Sequence, residues 1–219
     1  MFLSLLKPIF GKNEMRKLLS LLQNWLKQQY ANYKLLRAIK NQKEIRIVLG
    51  AGGTVYVGFV STDYPQLDIC SEVSFSRYLN PQTVSTFLSE HVWEHLSPED
   101  GVKAVSNCFL YLKQGGILRI AVPDGFHPDV DYIAHVKPGG DGPGADDHKV
   151  LYDYHLLSAL LEKAGFKVKL LEWFDEHGNF HHEDWNADEG LIRRSTRFDA
   201  RNQSNPTAYT SLIIDAIKP

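Results

Sequence analysis

Cysteine is nearly absent from this chain, with Cys70 and Cys108 the only two in 219 residues. No CxxC pair and no closely spaced even set occurs, which excludes a disulfide scaffold and a thiolate zinc site. The scarcity fits a reducing compartment, and a cytoplasmic setting is expected. Long apolar runs are missing too. None approaches the ~18 residues that a membrane-spanning helix needs. The opening stretch MFLSLLKPIFG is apolar but is broken by Lys7 and Pro8 and is followed by no small-residue cleavage site, so no signal peptide is expected. Charge of one sign is not in excess either: 24 Lys and Arg stand against 26 Asp and Glu, for a net −2.

That balance hides an asymmetry. Residues 1–43 hold nine Lys and Arg and one acid, Glu14, while the remainder holds fifteen basic and twenty-five acidic residues. The chain therefore divides into a basic N-terminal segment, 1–43, and an acidic body, 44–219. An acidic body without interleaved aromatic and basic residues argues against a nucleic-acid partner. Within the N-terminal segment Leu18, Leu22, Trp25, Leu26, Tyr33 and Leu36 recur at helical spacing over 13–40, with Lys17, Lys27, Lys34 and Lys40 on other faces. This predicts one amphipathic helix that covers the body as a lid or packing element. The other reading of its basic face is contact with an anionic membrane surface by residues 1–40.

The body is organised around EIRIVLGAGGTVYVGFVSTDYPQLD, residues 44–68. Ile45–Leu49 predicts a strand that ends in Gly50-Ala51-Gly52-Gly53, and Tyr56–Val60 a second strand that ends near Asp63. Glycines let a ligand approach the backbone closely, and a carboxylate past the next strand can accept both ribose hydroxyls. Too few residues separate the glycines from the acid to hold the helix of a dinucleotide-binding unit. A cofactor without phosphates needs no helix N-terminus as an anion site, and S-adenosylmethionine is one.

Further along, Pro81–Leu88 predicts a buried strand leading into SEHVWEHL. Ser97-Pro98-Glu99-Asp100 starts a helix over about 98–112, with Ser97 as N-cap and Pro98 at the first position. Gly115-Gly116 reads as its C-cap, and Ile117–Val122 as the next strand, which is the crossover unit of a parallel sheet. HVKPGGDGPGADDH, 135–148, reads as a mobile loop. A helix over 150–164, a strand over 166–173, a His-rich excursion over 175–205 and a last strand over 209–217 complete the chain.

In combination, SEHVWEHL (89–96), LKQGGILRIAVPD (112–124) and HKVLYDYHLLSALLEKAGF (148–166) resemble class I S-adenosylmethionine-dependent methyltransferases, most closely a short branch with an EHVxEHL signature. The resemblance covers about residues 44–219. It implies a Rossmann-like α/β fold: a mostly parallel sheet with helices on both faces, an N-terminal helical cover and a C-terminal hairpin. It further implies that Gly50, Ala51, Gly52 and Gly53 line the methionine part of the cofactor, that Asp63 binds the ribose, and that Asp68 lies on the adenine side. Glu90 and His91 would face the sulfonium, and Asp124 would border the acceptor pocket.

For methyl transfer, the base poised near neutral pH would be histidine. His91 is best placed, and His148, beside Asp146 and Asp147, could close over a substrate; His127 is a candidate substrate contact. Arg197, within the basic run 193–201, could hold an anionic acceptor. The acceptor is expected to be a small molecule or glycan.

Two other readings use the same letters. One is a degenerate, non-catalytic cofactor-fold protein that binds partners through its basic N-terminal helix. The other is a zinc hydrolase, because His91-x-x-Glu94-His95 matches an inverted zinc motif. That motif needs both histidines on one face of a helix, and here Pro98 restarts a helix just after. No metal site is therefore expected. The His-rich stretch 177–184 meets no zinc spacing cleanly and reads as a polar hairpin on the sheet edge.

Overall fold

Short apolar runs alternating with capped helices build a seven-stranded sheet in the computed structural model of the chain. The structure describes residues 12–203 and 207–219. The reading of MFLSLLKPIFG, and the part of the His-rich excursion at 204–205, lie outside the described residues. The chain falls into two units, 1–41 and 42–219.

Among its described residues the first unit has one helix, α1 (Lys12–Lys40), with Arg37 and Lys40 in its last turn, where cations oppose the negative helix end. Its apolar residues divide sharply. Leu35 and Ile39 are buried. Leu18, Leu22, Trp25, Leu26 and Tyr33, the stripe expected to pack, are 46–57 % exposed. Among the described residues no helix is long and apolar enough to cross a membrane.

In the second unit the strands are β1 (Ile45–Leu49), β2 (Val60–Ser61), β3 (Val84–Glu90), β4 (Leu112–Pro123), β5 (Lys167–Phe174), β6 (Phe180–His182) and β7 (Ser211–Ile217). The helices are α2 (Glu72–Ser76), α3 (Pro98–Tyr111), α4 (Val130–Val136) and α5 (Tyr154–Lys163). The strand order is β2-β1-β3-β4-β7-β5-β6. β2, β1, β3 and β4 pair in parallel, and β7 runs antiparallel to both β4 and β5. β5 therefore points the same way as the first four, and the sheet is mostly parallel. β6 closes the edge as an antiparallel hairpin with β5.

Strand alternation sends neighbouring residues to opposite faces. On one face Phe75 of α2 meets Phe87 of β3 edge-on and Tyr111 of α3 at 5.1 Å. On the other, Val48, Leu88, Ala121, Leu171 and Ile213 form a row covered by Trp185 and Ile192, with Tyr56 and Phe59 packed against it. Among the described residues of this unit, the segment 185–192 closes that second face. Arg119 of β4 pins it: Nε and Nη2 bond Asp215 of β7 at 2.7 and 2.8 Å, and Nη1 donates to the carbonyls of Asn186 and Gly190.

Several boundaries differ from the sequence reading, each for a local reason. The second strand is only Val60–Ser61, because Gly58 at φ +78° breaks the run and Tyr56 turns its ring over the core. The third begins at Val84 and runs to Glu90, since Pro81 has no N–H to give the ladder and Gln82 sits at φ +60°. Gly115-Gly116 does not cap α3. The helix ends at Tyr111, and the pair lies inside β4, where Gly115 takes φ +73° and its N–H bonds the Lys218 carbonyl at 2.9 Å. α3 itself starts as read: Ser97 Oγ accepts from Asp100 N and donates to Asp100 Oδ2. α5 begins at Tyr154, later than expected, because Asp153 is its N-cap.

Candidate active site

The chain leaves β1 toward β2 on one side and returns to β3 on the other. Such a switch in direction opens a crevice beyond the carboxyl ends of the strands, where ligands bind in open α/β sheets. A cavity of about 630 Å³ lies there, lined by Gly50, Ala51 and Gly52 after β1, by Glu90 at the end of β3 with His91, Glu94 and His95 after it, and by Pro123 of β4. That volume suits a small-molecule site. Val136, Ala145 and His148 of the loop around α4 line another wall, and Arg193, Arg194, Arg201 and Tyr209 a third.

The glycine turn cannot be built from other residues. Gly50 sits at φ +66°, and a Cβ there would stand 2.4 Å from Val92 Cγ2. Gly52 and Gly53 also have positive φ, but a Cβ on either would meet nothing within 4 Å. The backbone beyond the turn is thus open to an incoming ligand. Between β1 and β2 no helix intervenes among the described residues, only turns. Asp63, past β2, accepts from Gly52 N at 2.8 Å and from Tyr64 N at 3.0 Å. It holds the turn from below while its exposed carboxylate keeps acceptor capacity.

Glu90 ends β3 and gathers three segments. Its oxygens accept from the Tyr56 hydroxyl at 2.9 Å and from the backbone N–H groups of Arg193 and Arg194 at 3.1 and 2.8 Å. Burial, and then the Glu90 charge, push the Tyr56 phenol well above its ordinary range, so it stays a donor. His91 follows at φ +57°, a conformation rare outside glycine that marks strained, functional positions. Its Nε2 stands 2.9 Å from Ser211 Oγ and its Nδ1 3.0 Å from Glu94 Oε1. The latter pair is an ion-pair contact and not a hydrogen bond, and Glu94, only 1 % exposed, makes no hydrogen bond through either oxygen. His148 donates from Nδ1 to the Val136 carbonyl at 2.6 Å, which leaves Nε2 with its lone pair. Trp93–His95 is a single 3-10 turn, so His91 and His95 share no helical face of the kind the inverted zinc motif requires.

Of the residues expected from sequence, Gly50, Ala51, Gly52, Glu90, His91 and His148 come together around this cavity. Gly53, Asp63, Asp68, Asp124, His127 and Arg197 do not line it. Asp68 accepts from Cys70 N in the turn before α2. Asp124 is fully buried and accepts from Phe126 N and Phe174 N at 3.0 and 2.8 Å, tying the ends of β4 and β5. His127 stacks on Tyr132 at 3.9 Å and donates from Nε2 to the Thr207 carbonyl; burial lowers its pKa. Arg197 donates to the Trp185 carbonyl and lies over the Trp185 and Phe198 rings. The cations that do face the cavity are Arg193, Arg194 and Arg201. They sit in the same basic run, but the run alone could not tell which of its members turn inward.

The His-rich stretch forms the edge hairpin. His181 stacks on Trp173 and its Nε2 meets Asp175 Oδ2 at 2.9 Å.

No protein-family model matches the sequence, and no curated protein matches it. Solved structures with a similar chain course include a SAM-dependent methyltransferase from Archaeoglobus fulgidus, at 16 % identity over 87 % of this chain and 93 % of that one, with a TM-score of 0.43. A second is a SAM-dependent methyltransferase, possible histamine N-methyltransferase, from Thermotoga maritima, at 14 % identity over 93 % and 97 % of the chains and a TM-score of 0.47. A third is a putative methyltransferase in complex with the Trm112 methyltransferase activator of Haloferax volcanii, at 11 % identity over 84 % and 88 %, with a TM-score of 0.47.

Proposed function

We propose that this protein is an S-adenosylmethionine-dependent methyltransferase acting on a small-molecule or glycan-type acceptor. The observation that carries the reading is the glycine turn Gly50–Gly53, open above its backbone, at the point where the sheet changes direction. Without a helix between β1 and β2 the glycine turn has no helix N-terminus to hold a pyrophosphate, whereas a nucleoside with a sulfonium needs none. The residues fit such a cofactor. Gly50, Ala51 and Gly52 would cradle its methionine part, Glu90 and His91 would flank the sulfonium, and Asp63, which braces the turn at Gly52 N from outside the cavity lining, would take the ribose hydroxyls.

When bound, the cofactor supplies an activated methyl group for in-line displacement. The chain's part is alignment and proton removal. Of the four histidines that line the cavity, His91, paired with Glu94 and Ser211, and His148, whose Nδ1 is committed to the Val136 carbonyl, are the candidate bases. Arg193, Arg194 and Arg201 form a cationic wall that suits a carboxylate or phosphate on the acceptor, with Asp124, His127 and Arg197 behind the walls rather than in them.

Calorimetric titration with S-adenosylmethionine and S-adenosylhomocysteine tests the reading on wild type and Asp63→Ala. Micromolar binding that is lost in the variant is expected. The exposed apolar residues of α1 favour a second reading, a non-catalytic protein that binds partners through that helix. Absence of cofactor binding in wild type would leave that second reading in place of the first.

A further inference from the structure

We propose that Glu94, His95 and His148 form a binding site for a divalent transition-metal ion, with open coordination positions toward the cavity. One oxygen or nitrogen atom from each of these side chains lies within 4.8 Å of the others, and among the described residues these are the three that could hold an ion together. A tetrahedral ion separates its donors by about 3.3 Å, so modest side-chain rotation closes the set. His95 is a third exposed and has room to turn.

Independent observations converge on the same point. The Glu94 carboxylate is buried and neither oxygen makes a hydrogen bond; Oε1 has only the ion-pair contact to His91 Nδ1 at 3.0 Å, which leaves Oε2 without a partner. A buried polar group without a partner is costly, and a cation would satisfy it. Its main chain is meanwhile held rigidly: the Glu94 carbonyl accepts from Lys149 N at 2.6 Å and from Val150 N, which fastens His148's loop to the turn that carries Glu94 and His95. The histidines are prepared as ligands as well. His148 commits Nδ1–H to the Val136 carbonyl, and His95 Nδ1 lies 3.5 Å from Asp147 Oδ2. In both, the outer nitrogen is engaged by an oxygen, which presents the other nitrogen to an ion, as second-shell partners of metal-bound histidines do.

Two imidazoles and one carboxylate suit Zn²⁺, Mn²⁺ or Fe²⁺ and leave positions free. The same cavity is lined by Arg193, Arg194 and Arg201, so the group that would complete the coordination is an oxygen donor of the acceptor, a hydroxyl or carboxylate. With the ion in place His148 is a ligand and the role of base falls to His91. This acceptor contact rests on the methyltransferase reading; the ion site itself does not.

The test therefore uses metal alone. Full-length protein, stripped with chelator and dialysed, is titrated with Co²⁺ and followed by visible absorption and calorimetry, with Zn²⁺ and Mn²⁺ in parallel. One ion per chain is expected, with affinity at least tenfold weaker in Glu94→Gln and in His148→Ala and unchanged in Asp63→Ala and in His181→Ala of the edge hairpin. Circular dichroism checks each fold; should Glu94→Gln not fold, His148→Ala decides alone. Failure of wild type to bind, wild-type affinity in the two ligand variants, or loss of binding in His181→Ala would overturn the proposal. Cofactor binding is read separately, so either idea can fail without the other.

Discussion

Asp124 shows how one residue couples the sheet to pH. Burial raises its pKa to about 6 from an ordinary 3.8, against the opposing pull of the Phe174 and Phe126 N–H groups. A carboxyl raised on folding is protonated in the folded chain before the unfolded one, so folding takes up a proton between those values. Stability from this group is then fullest below pH 4 and falls as pH rises toward 6. At ~1.4 kcal/mol per pKa unit, the difference in unfolding free energy between wild type and Asp124→Asn should drop by about 3 kcal/mol from pH 4 to pH 7. Urea denaturation across that range measures it, and a flat difference would mean that the buried carboxyl titrates alike in both states. The sequence shows Asp124 only as the acid after a strand. Its burial depends on Phe174, fifty residues away.

At the scale of the element, α1 separates what periodicity can and cannot say. Helical spacing of Leu18, Leu22, Trp25 and Leu26 correctly foretells a helix, because a 3.6-residue period is a local property. Which of its apolar residues are buried is decided elsewhere, and here Leu35 and Ile39 are, while Leu22 is about half exposed. Leu35→Ala should cost about 2–3 kcal/mol, whereas Leu22→Ala should stay within about 0.5 kcal/mol. Equal losses on chemical denaturation of the two variants would contradict that division. The strands show the same limit. β3 extends to Glu90 and β4 absorbs Gly115-Gly116, since each gains ladder hydrogen bonds from a neighbour that is distant in sequence.

For the molecule as a whole, the connection between sheet and cover runs through Arg119. Its bonds to Asp215, Asn186 and Gly190 join two central strands to the segment that closes the second face, beneath the Trp185 ring at 5.0 Å. Removing one partner of a buried ion pair leaves the other charge uncompensated, so Arg119→Ala should lose about 3–5 kcal/mol. The double variant Arg119→Met/Asp215→Leu should recover part of that, because the stranded charge is gone. If the double variant is no more stable than the single one, the bonds to Asn186 and Gly190 carry the effect instead of the charge.

The sequence by itself determined the alternation of strands and helices, the glycine turn with its acid, the mostly parallel sheet and the histidines after β3. These are signals written in neighbouring residues: period, caps, and the tolerance of glycine for positive φ. Only the tertiary structure decided that Arg193, Arg194 and Arg201 face the cavity while Arg197 turns away. It also decided that Asp124 and His127 are packed behind the walls, and that Glu94, His95 and His148 converge. Those outcomes depend on how segments fifty to a hundred residues apart cross at the ends of β1, β3 and β4. Burial and convergence are properties of that crossing and have no local pattern to announce them.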